Sequence, residues 1–191
     1  TCARRPSQSA TIALSQIPVT ESQAQEAPRL DVFVGGGADD LMPGGGVLRD
    51  YVRRYAAETR RATAYFPNAR VGRIARTVAD VLRRGGQVNL IGHSWGGPDA
   101  FRVAARLAKR GLYVTSLITL DPVSGPFHRP AGSVEPAFWM NVLAIPDRLD
   151  RSDRLAVLPP FSRKPSSLPT SAADRSVTVA LHHWDVDGMM A

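Results

Sequence analysis

The chain has 191 residues, enough for one domain with a full hydrophobic core and too few for two. Hydrophobic residues make up 43% of it, charged residues 21%, and no apolar run reaches the ~20 residues that span a membrane, so the composition is typical of a soluble globular protein. The formal net charge of +7, almost all from arginine, favours a solvated basic surface over nucleic-acid binding, because no zinc pattern, helix-turn-helix signal or aromatic RNA-binding motif accompanies it.

Residues 1–28 are expected to form a flexible N-terminal arm or tether, because Ser, Gln, Thr, Ala and Pro dominate and no apolar periodicity persists. Cys2 is the only cysteine, so no internal disulfide can form. A cysteine followed by a polar stretch resembles a bacterial lipoprotein after signal removal, but Thr1 is a poor match for the residue before a lipidated cysteine. Lipidation of Cys2 stays open, and a secreted, periplasmic or lipoprotein-tethered location is slightly favoured over the cytoplasm.

Apolar strands alternate with amphipathic helices over residues 29–191. Short apolar runs between turn signals predict strands at 30–34, 63–66, 87–91, 117–120, 138–145 and 176–181. Helical spacing of apolar residues predicts helices at 47–60, 96–110 and within 185–190. A further helix is predicted to start at an N-cap, Asn68, and to end at Gly85-Gly86. Residues 146–170 are expected to run over the surface, either as a plain loop or as a lid. This alternation predicts one compact α/β domain, with a mostly parallel central sheet, helices on both faces and no large cap domain.

The third predicted strand ends in a sequence that carries chemistry. Residues 87–91 are followed by Gly92-His93-Ser94-Trp95-Gly96, and a helical pattern starts directly afterwards. A Gly-x-Ser-x-Gly sequence between a strand and a helix is typical of a nucleophile elbow, in which a sharp turn exposes one serine. Side chains at Gly92 and Gly96 would clash there, and the free N–H groups of the next helix suit a developing oxyanion. Ser94 is therefore the candidate nucleophile.

Two further strand ends are expected to lie beside Ser94. Gly35-Gly36-Gly37 follows the first strand, and Asp121-Pro122 follows the strand after the elbow helix. The carboxyl ends of parallel strands meet at one edge of a sheet, which is where such folds place their functional residues. Gly36, Gly37 and Ala38 are the candidates for an N–H that points at a reacting carbonyl. The glycines do not form a phosphate-binding loop, because the Gly-Lys-Ser/Thr ending is absent.

A serine hydroxyl becomes nucleophilic when a neutral imidazole takes its proton and a carboxylate holds that imidazole in place. The pair His182-His183 stands at the end of the last strand. His183 is preferred because it lies further past the strand and precedes a segment that can fold back as a helix, but His182 stays an alternative. His93 is expected to point away from the serine, and His128 follows the acid too soon.

Asp121 is the preferred acid, since Asp-Pro forms a rigid turn at a strand terminus. Asp147 and Asp150 follow the next strand along the chain and stay open as alternatives. Asp187 is expected to be a cap or a hydrogen-bond partner near His183.

The segments Gly92–Gly97 and Ile118–Pro122 resemble those of the α/β-hydrolase superfamily, and more closely its small lipases and esterases. The short body resembles cutinases, and the acid position is similar to that of pancreatic-type lipases. This resemblance implies that Ser94 is the nucleophile, Asp121 the acid and His183 the base. It also implies an oxyanion hole formed by the N–H of Trp95 and the Gly36–Gly37 region. One departure is that Val34-Gly35-Gly36 replaces the His-Gly pair that is common before the oxyanion loop.

The resemblance implies hydrolysis of a carboxylic ester through an acyl-enzyme, with no cofactor and no metal. A small-molecule or lipid ester is the expected substrate, and the basic surface would suit peripheral contact with an anionic membrane. A thioesterase or an amide hydrolase would use the same residues. A non-catalytic, tethered binding module on the same fold is the alternative of another class. The sequence indicates neither the acyl-chain length nor the oligomeric state.

Overall fold

The computed structural model describes residues 27–37, 39, 46–125, 136–158, 164 and 166–191. The arm predicted over residues 1–28 therefore lies almost wholly outside the described residues, as do Cys2, Ala38 and His128. The strands are β1 (Arg29–Val34), β2 (Thr63–Phe66), β3 (Gln87–His93), β4 (Ser116–Leu120), β5 (Trp139–Ala144) and β6 (Arg175–Val179). The helices are α1 (Val47–Thr59), α2 (Val71–Arg83), α3 (Gly96–Ala108), α4 (Arg151–Ala156) and α5 (Val186–Met190).

The six strands form one sheet in the order β2-β1-β3-β4-β5-β6, and every neighbouring pair is parallel. The prediction of a central parallel sheet is thus confirmed. After β1 the chain adds β2 on one side, then returns to add β3 on the other side of β1. The gap between the carboxyl ends of β1 and β3 is therefore the point where the strand order reverses, the usual ligand position in such sheets. Gly35 and Ser94 directly follow these two strands.

Helices cover both faces of the sheet, as the alternating pattern predicts. On one face α2 and α3 pack against inward side chains of the strands, with a core that includes Ile74, Val78, Phe101, Leu107, Leu90, Leu117 and Trp139. On the other face α1 and α5 pack against a second core that includes Leu48, Val52, Phe33, Ile91, Val142, Val186 and Met189. Within the described ranges, the elements form this sheet and the helices beside it, and no separate cap domain is present.

Two local predictions are wrong. The residue that caps α2 is Arg70, not Asn68, and no side chain bonds the first turn. The turn before the helix instead runs through Ala69 at φ 62°, and the Ala69 N–H donates to the Asp99 carboxylate at the start of α3. In addition, residues 146–170, expected to run over the surface as a plain loop or a lid, contain the helix α4, so the plain loop is wrong. Asp150 caps this helix by accepting from the N–H groups of Ser152 and Asp153.

No helix among the described residues combines the length and the hydropathy that crossing a membrane requires.

Candidate active site

Ser94 occupies a sharp turn between β3 and α3, and its backbone is in the left-handed region with φ 55°. A Cβ added to Gly92 would overlap the carbonyl oxygen of Gly96, so the chain can double back around Ser94 only with glycine there. The turn is held by the Ser94 N–H, which donates to the Leu120 carbonyl at 3.0 Å. Ser94 is 92% buried, with 8% of its surface exposed. The strained turn that the Gly-x-Ser-x-Gly sequence predicts is therefore present.

The structure brings Ser94, His183 and Asp121 into one chain of hydrogen bonds. His183 Nε2 lies 3.0 Å from Ser94 Oγ, and His183 Nδ1 lies 2.6 Å from Asp121 Oδ2. With Asp121 ionised, His183 Nδ1 carries the ring proton and donates a hydrogen bond to the carboxylate. The unprotonated Nε2 can then accept a hydrogen bond from the Ser94 hydroxyl. This is the tautomer that a general base requires. His183 and Asp121 are both buried, at 3% and 0% exposed.

The Asp121 carboxylate is surrounded by donors. Besides His183, the Ala144 N–H donates to Oδ1 at 3.1 Å, and the Lys164 ammonium lies 2.7 Å from Oδ1 and 2.8 Å from Oδ2. Burial by itself would raise the pKa of Asp121, but the hydrogen bonds and charges of His183 and Lys164 outweigh it and lower that pKa. Asp121 is therefore ionised at neutral pH, although water does not reach it.

The glycine-rich loop after β1 lies against Ser94, but the Gly36 N–H does not have the free position predicted for an oxyanion donor. The Gly36 N–H donates to Asp39 Oδ2 at 3.0 Å, so in this conformation it is not available to an oxyanion. The reason is the buried Asp39 carboxylate, which competes for the amide from three residues away. Gly37 packs against the indole of Trp95, and a Cβ there would overlap that ring. Gly37 and Trp95 are therefore in contact, and the role of their N–H groups in oxyanion binding stays a prediction.

The alternative residues lie next to the site but not in this hydrogen-bonded chain. His182 is half-exposed, and its Nδ1 lies 2.7 Å from Asp153 Oδ2. Asp150 caps α4, and its Oδ2 lies 3.7 Å from His182 Nδ1. Asp147 is exposed on the loop before α4. Among the carboxylates considered from sequence, Asp121 is the one that contacts His183.

The placement predicted for Asp187 is wrong. Asp185, not Asp187, caps α5 by accepting from the Gly188 N–H. Asp187 points outwards, where both of its oxygens accept from Arg54 at 2.7 Å. Two positions along an α-helix turn a side chain by about 200°, so Asp187 faces away from the position that caps α5.

Asp153 is a residue of this site that sequence reasoning missed. Its Oδ1 accepts from the His183 N–H at 2.9 Å, while its Oδ2 accepts from the Asp150 N–H at 3.0 Å and contacts His182. The hydrogen bond to Asp153 is also the main reason that the pKa of His182 is raised. This buried carboxylate fixes the backbone that carries His183. The sequence gives only a weak signal for it, an Asp-x-x-Asp spacing before a helix too short to show periodicity.

His93 was expected to point away from the serine, and instead it packs against His183. The two ring centroids are 4.9 Å apart, and His93 Nε2 lies 2.8 Å from the His183 carbonyl oxygen, which can only accept. Nε2 therefore carries the proton, and the buried Nδ1 has no partner among the described residues. Burial, and then the neighbouring His183, lower the pKa of His93 to about 3, so its imidazole is neutral.

Among the described residues, one group of three side chains could hold a cation: Asp150, Asp153 and His182 have ligand atoms within 4.8 Å of one another. Their hydrogen bonds to each other and to N–H groups of α4 already account for this arrangement. Neither Ser94 nor Asp121 belongs to the group. The candidate serine and acid are thus separate from these possible ligands.

No protein-family model matches the sequence, and comparison with curated proteins finds no match. Among solved structures, a protein of the alpha/beta hydrolase superfamily from Xanthomonas campestris pv. campestris aligns at 15% identity over 84% of this chain and 91% of that chain, with a TM-score of 0.52. RedJ, solved with a PEG molecule in its active site, aligns at 15% identity over 96% and 90%, with a TM-score of 0.49. The type II thioesterase BorB from the borrelidin biosynthetic cluster aligns at 19% identity over 57% and 48%, with a TM-score of 0.35.

The first of these similarities shows that the chain has the α/β-hydrolase fold, in agreement with its six-stranded parallel sheet. At this level of identity the likeness is one of fold, and fold does not fix function. What the site does must therefore be argued from its own residues.

Proposed function

We propose that this protein is a serine hydrolase that cleaves carboxylic esters through an acyl-enzyme intermediate. The observation that carries the proposal is the chain of hydrogen bonds from Asp121 to His183 and from His183 to Ser94, at 2.6 and 3.0 Å. It lies where the strand order of the sheet reverses, on a serine whose backbone is held in a strained turn. A strained, pre-aligned serine–imidazole contact is what nucleophilic catalysis requires.

In the proposed reaction, Ser94 Oγ attacks the carbonyl carbon of the ester while His183 Nε2 takes the hydroxyl proton. Asp121 stabilises the imidazolium that forms and keeps the ring in its orientation. The same proton then passes to the leaving alkoxide, and the acyl group stays on Ser94. In the second half, His183 removes a proton from water and the resulting hydroxide attacks the acyl carbon. The bond from that carbon to Ser94 Oγ then breaks, His183 returns the proton to Oγ, and the carboxylic acid leaves.

The negative charge that develops on the carbonyl oxygen needs donors close to Ser94. The N-terminus of α3 directly behind Ser94 supports this role, because backbone N–H groups and the positive end of the helix meet there. We propose the Trp95 N–H as one donor and the Gly37 N–H as the second. Gly36 would take part only if Asp39 released its amide.

The same three side chains would serve a thioester, because both substrates pass through an acyl-Ser94 intermediate. A panel of 4-nitrophenyl esters and acyl thioesters of increasing chain length separates the two classes by kcat/KM.

We expect hydrolysis of at least one ester series, and its loss in Ser94→Ala. Ser176→Ala, an exposed serine at the start of β6 and far from this edge, is the matched control and should keep full activity. Full activity in Ser94→Ala would contradict the proposal.

Lipid esters belong to the proposed substrate range. The segment between β5 and residue 158 exposes five large apolar side chains: Ile145, Leu149, Leu155, Val157 and Leu158. Arg148, Arg151 and Arg154 are exposed in the same segment, which would suit contact with anionic headgroups. If this is right, a lipid ester presented in anionic vesicles should be cleaved faster than in neutral ones. Equal rates would limit the proposal to soluble esters.

A further inference from the structure

Lys164 is a partly buried cation that contacts the candidate acid, Asp121, alongside His183. Its ammonium lies 2.7 Å from Asp121 Oδ1, 2.8 Å from Asp121 Oδ2 and 2.7 Å from the Ala144 carbonyl oxygen. Its side chain is 19% exposed, and that of Asp121 is 0% exposed. In a dry environment such a contact is much stronger than the same pair on the surface.

The hydrogen bonds of this ammonium are made to groups inside the protein. Lys164 Nζ donates to Asp121 Oδ2 and to the Ala144 carbonyl oxygen, and it forms an ion pair with the Asp121 carboxylate, whose Oδ1 lies 2.7 Å away. Both acceptors belong to the candidate acid and to the strand beside it. Because its positive charge is paired with Asp121, Lys164 is also unsuited to act as a base. Its contacts are those of a residue that holds another residue in place.

We propose that Lys164 is a positioning residue of the catalytic site, which fixes the Asp121 carboxylate towards His183 and weakens its hold on the imidazolium. This inference rests on the function proposed above. Lys164 belongs to the chain between α4 and β6, so the contact also ties that connection to the acid at the end of β4. The carboxylate is then held by three separate parts of the chain: Ala144 of β5, Lys164, and His183 after β6.

The charge of Lys164 has a consequence for the pH dependence of the reaction. Among the described residues, the charged and titratable groups facing Asp121 and His183 are Lys164, His93 at the end of β3, and Asp153 of α4. His93 is neutral, and Asp153 contacts the backbone rather than the ring of His183. Lys164 is therefore the one cation among these groups, and its charge acts against a second positive charge at this site. We expect the acid limb of Ser94 reactivity to lie at lower pH in the wild type than in a variant without this charge.

The choice of lysine fits this role. The chain has 24 Lys and Arg residues, of which only Lys109 and Lys164 are lysines. An ammonium is a compact charge that can donate to a carboxylate and to a carbonyl in different directions, whereas a guanidinium donates in one plane. In an otherwise arginine-rich chain, a lysine at this contact suits the two acceptors.

The test is the rate at which a fluorophosphonate inactivates Ser94, measured against pH across the range in which histidine titrates. In Lys164→Met we expect the acid limb of this profile to move to higher pH by about one unit, the low end of what a neighbouring charge contributes. Lys164→Arg keeps the charge, so its acid limb should stay near that of the wild type. Lys109→Met removes the other lysine, an exposed residue after α3, and should leave the profile unchanged.

Rescue with a small amine separates a role of the ammonium from a general loss of packing. In Lys164→Ala, ethylammonium or propylammonium can enter the vacated space, and we expect either to restore the wild-type position of the acid limb. Circular dichroism establishes that each variant is folded before it is labelled. If the wild type is labelled and the pH profile of Lys164→Met superimposes on that of the wild type, the role proposed for Lys164 is overturned, but the proposed function is not. No labelling of the folded wild type at any pH would contradict the proposed function, and this inference with it.

Discussion

His93 lies in the middle of the elbow sequence and stabilises the proposed base through its backbone. Its Nε2–H donates to the His183 carbonyl at 2.8 Å, its ring packs on the His183 ring, and it is 2% exposed. The contact joins the end of β3 to the loop after β6, which are 90 residues apart in the chain. No local pattern reveals a contact of this kind, which is why the sequence alone placed His93 away from the site.

The buried, neutral state of His93 predicts a specific loss of stability in acid. The unfolded chain protonates His93 below pH 6.5, whereas the folded protein keeps it neutral down to about pH 3. The unfolded state thus binds more protons in this window, and the free energy of unfolding should fall by up to ~1.4 kcal/mol per pH unit as the pH drops. His93→Gln can keep the donor to His183 but cannot take up a proton.

Urea unfolding of the wild type and His93→Gln at several pH values checks this prediction. The wild-type curve should fall more steeply than that of the variant below pH 6.5, and the two should run parallel above it. All other titrating groups, including His182, are common to both proteins, so the difference isolates His93. Parallel curves throughout the acid range would show that His93 is protonated in the folded state.

Among the elements, the strands and the long helices were predicted well, whereas the short helix α4 and the cap of α2 were not. β2 falls at the predicted residues, and α1, α2 and α3 each carry enough turns for apolar periodicity to be visible. α4 has only six residues and is recognisable mainly by its Asp150 cap, so its helix was missed. The Asn68 cap failed because Ala69 already adopts a turn held by Asp99, from a helix that begins 27 residues further on. Long-range contacts thus overrode the local signal.

α4 is expected to hold the backbone of His183 through Asp153. Asp153→Ala would leave the buried His183 N–H without its acceptor, and we expect the free energy of unfolding to fall by about 1–3 kcal/mol. The rate of fluorophosphonate labelling should fall as well, because His183 loses its anchor. Stability is read from urea unfolding, and labelling from intact mass over time.

Asp187→Asn is the matched control for this variant. It also removes a carboxylate that is paired in the structure, but the Arg54 pair is exposed and screened by water, so the free energy of unfolding should stay close to that of the wild type. Its labelling rate should equal that of the wild type. If Asp153→Ala is destabilised yet labels at the wild-type rate, α4 supports the fold without positioning His183.

At the scale of the whole molecule, topology brings the site together. The order β2-β1-β3-β4-β5-β6 places the ends of β1, β3, β4 and β6 at one edge of the sheet, and these carry Gly36, Ser94, Asp121 and His183. This much could be predicted, because strand–helix alternation implies a parallel sheet whose carboxyl ends meet. The sequence could also name the candidate nucleophile, acid and base, since each stands at a strand end.

Other parts of the site could not be predicted, for a physical reason. Lys164 and Asp153 reach it from the connection between β5 and β6, which has no periodicity long enough to place a side chain. The capture of the Gly36 N–H by Asp39 depends on loop geometry, which a run of glycines leaves undetermined. The catalytic roles of Ser94, Asp121 and His183 stay predictions until the chemistry is measured.

The most direct test is the intact mass of the folded protein after reaction with a fluorophosphonate, in the wild type, Ser94→Ala, His183→Ala and His182→Ala. We predict one adduct per chain on Ser94 in the wild type and in His182→Ala, and none in Ser94→Ala. Labelling of His183→Ala should be lost or slowed by orders of magnitude. If labelling needs His182 instead of His183, the base has been misassigned. If the folded wild type takes up no probe while a reference serine hydrolase does, Ser94 is not activated and the account is contradicted.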